Sequence, residues 1–417
     1  MAKKQKKAAP KRAPTKHQLS KWQRQTKIRR IVIIAAAVFL AGIIGWVGYG
    51  YYKDSIAPYR EVVIKVNDAS FNMGYYVKTL DAYTAGMNYS QIYSYGNYVA
   101  GMVADEIINA ELRRQGAKNL DIEVTTEEID EKLEELKEYE WPDDRVHRDI
   151  ISSDLLLEKL EEYFDSQLPD TMEQAHVQLM LAESEEVADE VITKIEAGGN
   201  FTALAEEFSC NSLIEGDLGW LPEELMPNAL IADAAFNLTS GEISPPIYDA
   251  SATKNFGYWL IEVTDKEDDK IEARAMLLGS EAEAEQVKAE LVSGNFSSLA
   301  KEYSQHESKD EGGELGLLEQ GDMGSEAFDQ VAFNITANEV SEPVKDESVQ
   351  TTGGYWLVRV VDRGVHQLET EVGEELRDMH FNDWFKEWKA DSTIENRLGA
   401  DKISWAVNKV LQGRTPQ

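Results

Sequence analysis

Apolar residues in the stretch 56–170 recur mostly at helical spacing, behind one short alternating segment. Glu61–Val66 reads as a strand closed by a turn at Asn67-Asp68. Met73, Tyr76, Val77 and Leu80 then predict a first helix. Val99, Met102, Val103, Ile107 and Ala110 predict a second, closing near Gly116. Thr125 and Glu128 form a capping box ahead of Ile129, Leu133 and Leu136. A fourth helix follows through Ile150, Leu157, Leu160 and Phe164 to Leu168-Pro169. Tyrosines crowd the first two helices, from Tyr75 to Tyr98, with Met73, Met87 and Met102 among them. Such side chains suit either ordinary helix packing or a surface that grips varied peptides.

The pattern changes after residue 170, where the chain repeats itself. Phe201-x-x-Leu204-Ala205-x-x-x-Ser209 returns 95 residues later as Phe296-x-x-Leu299-Ala300-x-x-x-Ser304. Gly216-Asp217-Leu218-Gly219, Phe236 and Gly257-Tyr258-Trp259 return 97 residues later as Gly313-Glu314-Leu315-Gly316, Phe333 and Gly354-Tyr355-Trp356. Each copy reads strand, helix, helix, loop, helix, strand, and closes on an aromatic strand, Tyr258–Val263 or Tyr355–Val361. The expectation is two small α+β domains, 171–266 and 271–364. In the remaining tail, 366–417, Phe381, Trp384, Phe385 and Trp388 make an aromatic stripe on one helix. That stripe needs a partner, and the expected one is the helical module 56–170.

Charge and hydropathy add a membrane expectation. Residues 1–30 carry 12 Lys/Arg and no acid, leaving 30 Lys/Arg against 76 Asp/Glu beyond them, a net charge of −46. Between the two lies Ile31–Tyr52, without a charge and bounded by Trp46, Tyr49, Tyr51 and Tyr52. As a helix it would span roughly 33 Å, which predicts a single-pass anchor with residues 1–30 cytoplasmic and the bulk of the chain outside. The acidic body argues against a nucleic-acid partner. Cys210 is the single cysteine, so no intrachain disulfide is available. Six scattered His give no metal spacing, and neither metal nor cofactor is expected.

The repeats resemble parvulin-type peptidyl-prolyl isomerase domains. The matching residues are Gly216–Trp220, Met226, Ala235-Phe236, Gly241–Pro246 and Phe256–Trp259 in the first copy. In the second they are Gly312–Gly316, Met323, Phe328, Ala332-Phe333, Glu339–Val344 and Gly353–Trp356. With the helical module ahead of them, the arrangement is similar to extracytoplasmic foldases of the SurA, PrsA and PpiD type. The resemblance implies an α+β protein: an N-terminal anchor, a SurA-like helical chaperone module, two parvulin units and a helical tail. Its implied partners are unfolded or nascent exported polypeptides and their proline-containing segments.

Family members set two His and a Cys or Asp behind an apolar proline pocket. Here the matching positions are Gln178, Asn211 and Trp259 in one copy, and Ala275, His306 and Trp356 in the other. His176, two residues before Gln178, is on the same strand face and a partial substitute. The apolar pocket positions persist as Met226, Ile231 and Phe236, and as Met323, Phe328 and Phe333. The expectation is a folding factor that binds unfolded exported chains, with isomerase activity weakened or lost. Two alternatives stand beside it: an active isomerase, and a structural membrane scaffold built on degenerate parvulin units.

Overall fold

The computed structural model of the chain describes residues 29, 38–40, 42–136, 141–210, 216–291 and 295–414. These divide into two compact units, one running to Tyr163 and taking in His380 onward, the other Phe164–Met379.

Among the described residues no helix is long and apolar enough to cross a membrane. The expected transmembrane helix Ile31–Tyr52 is therefore corrected, and the single-pass anchoring drawn from it is not supported. Residues 31–37 and 41 of that segment, like the basic head apart from Arg29, lie outside the described residues. A π-helical turn Tyr52–Ile56 and a 3-10 turn Pro58–Arg60 then end the helix.

In the first unit, β1 (Val62–Val66) and β2 (Ala69–Asn72) form a hairpin, turned at Asn67 with φ 52°. Helices α1 (Met73–Tyr83), α2 (Tyr89–Asn119), α3 (Thr126–Glu135) and α4 (Arg145–Gln167) follow. The capping box at Thr125 and Glu128 starts α3. Gly116 does not end α2, which continues for three more residues. A Cβ on Gly116 would meet Trp384 Cζ2 at 2.7 Å, so its glycine serves a close side-chain approach instead.

The second unit holds two four-stranded sheets. The first repeat supplies β3 (Thr171–Ala182), α5 (Glu185–Glu196), α6 (Phe201–Phe208), β4 (Asp217–Leu221), α7 (Ala229–Asn237), β5 (Ile247–Lys254) and β6 (Gly257–Glu267). The second supplies β7 (Lys270–Leu278), α8 (Glu281–Glu290), α9 (Phe296–Tyr303), β8 (Glu314–Leu318), α10 (Glu326–Ala332), β9 (Val344–Asp346) and β10 (Thr351–Gln367). Asn200 and Asn295 cap α6 and α9 at matching places in the two copies.

The sheet orders are β4-β3-β10-β5 and β8-β7-β6-β9. The last strand of each repeat therefore completes the sheet of the other. This corrects the expectation that Tyr258–Val263 and Tyr355–Val361 each close their own copy. The turn between β6 and β7 explains it locally: Glu267 pairs with Lys270, leaving Asp268-Asp269 as a two-residue loop with Asp268 at φ 54°. A loop that short holds β6 beside β7 as an antiparallel hairpin.

After β10 come α11 (Thr370–Ala390), β11 (Ile394–Asn396) and α12 (Ala400–Gln412). β11 pairs antiparallel with β1, Ile64 opposite Asn396. Ala406, Val407, Val410 and Leu411 of α12 share one buried cluster with Tyr76, Leu80, Ile92 and Leu112, and Phe385 and Trp388 pack against it.

Candidate functional site

The register of each sheet decides which side chains face which helix. On β3, Ala175, Val177, Leu179 and Leu181 pack with Trp356 and Val358 of β10 and with Ile231 and Ala235 of α7. Met180 and Ala182 point the other way, onto Phe201 and Leu204 of α6. Gln178 belongs to that opposite face, where its Nε2 donates to Thr202 Oγ1 at 3.3 Å and to Asp217 Oδ2 at 3.2 Å. It is therefore not beside the indole of Trp356. The residue of β3 that corresponds to Ala275 of β7 is Leu179, because Trp356 pairs with Leu181 as Trp259 pairs with Leu277. Gln178 therefore stands one residue before the matching position, and a one-residue step turns a strand side chain to the other face.

His176 shares the face of Gln178, its Nε2 2.7 Å from Asp217 Oδ1. It lies near Trp220, whose ring packs tilted against His366 with centroids 3.9 Å apart. Asn211 lies outside the described residues.

Strand exchange also reassorts the expected trios. Trp259 belongs with Ala275 and His306, and Trp356 with Leu179. The two indoles stand in equivalent settings. Trp259, 2% exposed, donates Nε1–H to Asp346 Oδ2 at 2.8 Å, and Trp356, 4% exposed, donates to Asp249 Oδ2 at 2.9 Å. Each carboxylate is further held by the backbone N–H and hydroxyl of a serine two residues on, Ser348 at 2.8 and 2.6 Å and Ser251 at the same distances. Ser325 adds a 2.6 Å bond to Asp346, and Asn228 a 3.2 Å bond to Asp249. Burial by itself raises both carboxyls, but these hydrogen bonds outweigh it and hold each below the ordinary aspartate range.

His306 sits edge-on to Trp259, ring centroids 5.2 Å apart. Its Nδ1 accepts the Ser308 backbone N–H at 3.2 Å, and burial pushes the ring pKa down, so it is neutral near pH 7.

The residues expected to line proline pockets pack around these indoles. Ile231 and Phe328 are fully buried, Met226 is 7% exposed, and Phe236, Met323 and Phe333 are partly buried in the same clusters. Phe328 lies 5.4 Å edge-on from Trp259. The two aspartates escaped the sequence reading, although an available signal marked them. Asp249-Ala250-Ser251 returns as Asp346-Glu347-Ser348 at the same 97-residue offset as the aromatic strands.

An open cavity lies in the first unit, about 330 Å³ in volume, with Phe71, Tyr75, Tyr83, Ile107, Ile150 and Leu156 in its wall. Tyr75 donates its hydroxyl to Asp149 at 3.1 Å beneath the Arg145 guanidinium, 5.4 Å from the ring. On α2, Tyr95, Tyr98 and Met102 are 62%, 71% and 55% exposed, while Tyr76 is fully buried and bonds Ala100 O. The tyrosines thus divide between core and surface.

Two sheets of this order, each with paired helices on one face and a third helix on the other, define a tandem-parvulin protein. Residues 171–265 and 266–362 each match the PPIC-type PPIASE domain, and residues 19–172 match the SurA-like N-terminal domain. The chain belongs among the SurA/PrsA-like parvulin proteins with two tandem parvulin domains. It is 30% identical over 238 residues to the chaperone SurA of Dechloromonas aromatica, covering 50% of this chain and 52% of that protein. It is 32% identical over 171 residues to the foldase protein PrsA of Geobacillus kaustophilus, covering 35% and 57%. The solved structure of PrsA from Bacillus subtilis aligns over 86% of this chain and 94% of its own, at 15% identity and a TM-score of 0.22. The chain spans about half the length of the first SurA relatives it matches.

Proposed function

We propose that this protein is an extracytoplasmic folding factor that holds unfolded exported polypeptides, and that its parvulin units have lost isomerase turnover. One observation carries the second half. Where the family places the last-strand His, both units have a buried Trp whose only polar hydrogen is bound to a buried carboxylate. Indole donates and cannot accept, so it cannot exchange hydrogen bonds with a rotating imide as His does. The opposite positions, Leu179 and Ala275, carry no polar group at all. Rotation about an X–Pro bond faces a barrier of ~18–20 kcal/mol, and these side chains offer it an already filled core.

Holding is supported by the first unit. Its cavity has an apolar wall beside charged groups, and exposed Tyr and Met on α2 add adaptable surface at little entropic cost. The relatives named chaperone and foldase support the same reading. The parvulin units then serve as a rigid body. The test is suppression of aggregation of a chemically unfolded client by the full chain. Ile150→Arg, which puts a charge into the cavity wall, is expected to reduce suppression severalfold. Unchanged suppression by a folded variant would move client binding elsewhere.

A further inference from the structure

Strand exchange leaves two pairings with nearly the same core. Trp356 bonds Asp249 and Trp259 bonds Asp346, at 2.9 and 2.8 Å. If each last strand returned to its own repeat, Trp259 would meet Asp249 and Trp356 would meet Asp346. The same bonds would form between the same residue types, so the cores do not select between the two topologies.

The contacts that differ lie where the chain crosses between sheets. Residues 254–257 run from β5 into β6, and 350–352 run back into β10. Lys254 pairs with Thr351, Gln350 Nε2 donates to Asn255 Oδ1 at 3.2 Å, and Thr351 Oγ1 donates to Phe256 O at 2.6 Å. Gln305, just after α9, binds Thr352 twice, accepting its N–H at 2.7 Å and donating to its carbonyl at 3.0 Å. Lys254 is 1% exposed, and its Nζ donates across to Gly279 O at the end of β7. Tyr258 of β6 reaches back to Glu183, just after β3, at 3.1 Å. The approach is tight: a Cβ on Gly257 would meet Thr351 Cγ2 at 2.6 Å.

We propose that this crossover, with Lys254 at its centre and the Asp268-Asp269 turn beside it, is a latch that selects exchanged over unexchanged strand pairing within one chain. Latched, the two parvulin units share their last strands and move as one body. Unlatched, each closes on its own strand, and residues 268–269 become a hinge between two independent domains. Energetically the latch needs to supply only a small difference, because the large core contributions cancel. Removing a buried ammonium in favour of a methionine of similar length is tolerated in many cores, so Lys254→Met is suited to releasing the latch without unfolding the sheets.

The cross-strand partners provide the readout, since opposed strand positions have Cα atoms close enough for a disulfide. Tyr248 pairs with Tyr355 in the exchanged form; in the unexchanged form Tyr248 would pair with Tyr258. In a full-length Cys210→Ser background, Y248C/Y355C should oxidise to an intrachain crosslink in most molecules, and Y248C/Y258C should not. Adding Lys254→Met and a short Gly-Ser insertion between Asp268 and Asp269 should shift crosslinking to the second pair. The insertion alone, at an exposed turn, should shift it in part and guards against a poorly folded Lys254 variant. Three results would overturn the proposal: crosslinking of Y248C/Y258C with the latch intact, no shift in either released variant, or crosslinked dimers as the main product of Y248C/Y355C.

Discussion

Trp259→Phe separates the two topologies by where its damage falls. The substitution keeps an aromatic ring against Phe328 and His306 but removes the indole N–H that Asp346 accepts at 2.8 Å. A hydrogen bond to a charged group contributes about 1.5–3 kcal/mol. The lost ring volume adds about 1 kcal/mol by analogy with other large-to-small core changes, so the expected total is about 2.5–4 kcal/mol. Asp346 keeps Ser325 and Ser348, which limits the loss. Urea unfolding should show a lower midpoint with an unchanged slope. Hydrogen exchange should show its largest loss of protection in β7, β8 and β9, sequence neighbours of the second repeat. The folded carboxyl of Asp346 is depressed, so its stabilising contribution is present above the unfolded pKa and fades as pH falls through the lower folded one. The gap between variant and native chain should therefore narrow below about pH 4. Loss centred on Thr171–Ala182 and Ile247–Lys254 would mean that Trp259 serves its own repeat, and the exchange would be refuted.

Trp384→Ala opens space beside Gly116 and should cost about 3 kcal/mol, the lower end for a buried aromatic since this one is half-buried; calorimetry should place the change in the transition of the first unit. Partial burial pushes the Cys210 thiol up to about 12, so native chains should react with a thiol reagent more slowly than urea-unfolded ones, and equal rates would contradict that shift. Replacing the exposed Tyr95 and Tyr98 by Ser should leave the unfolding free energy within about 0.5 kcal/mol of native while weakening aggregation suppression; a stability loss without a holding defect would reassign both to packing.

Local signals in the sequence were strong where one short segment determines the outcome. Thr125 and Glu128 start α3, and Asn67-Asp68 turns the first hairpin, because a cap or turn depends on a few adjacent residues. The 95- and 97-residue offsets identified two parvulin copies because motif glycines, aromatics and cap residues recur in order. What could not be read was which partner a strand selects. Two copies with equivalent Asp-x-Ser and Gly-Tyr-Trp segments present interchangeable edges, and besides the short Asp268-Asp269 turn it is contacts distant in sequence, such as Lys254 with Gly279, that distinguish them. Gln178 failed differently. Strand side chains alternate faces, so a single-residue slip moved the expected position from beside Trp356 to beside Thr202. At Ile31–Tyr52 apolarity predicted a span, whereas among the described residues no helix is long and apolar enough to cross a membrane.

We propose that the parvulin fold persists here without its catalysis. It is tested most directly by isomer-specific cleavage of a short X–Pro peptide in the presence of the full-length protein. Protease-resistant cis peptide should disappear at its uncatalysed rate, over tens of seconds or longer, at every protein concentration. The same protein should suppress aggregation of an unfolded client in parallel. An isomerisation rate that rises in proportion to protein concentration, and that falls when His306 is replaced, would contradict the account and show that a parvulin unit remains an enzyme despite Trp259 and Trp356.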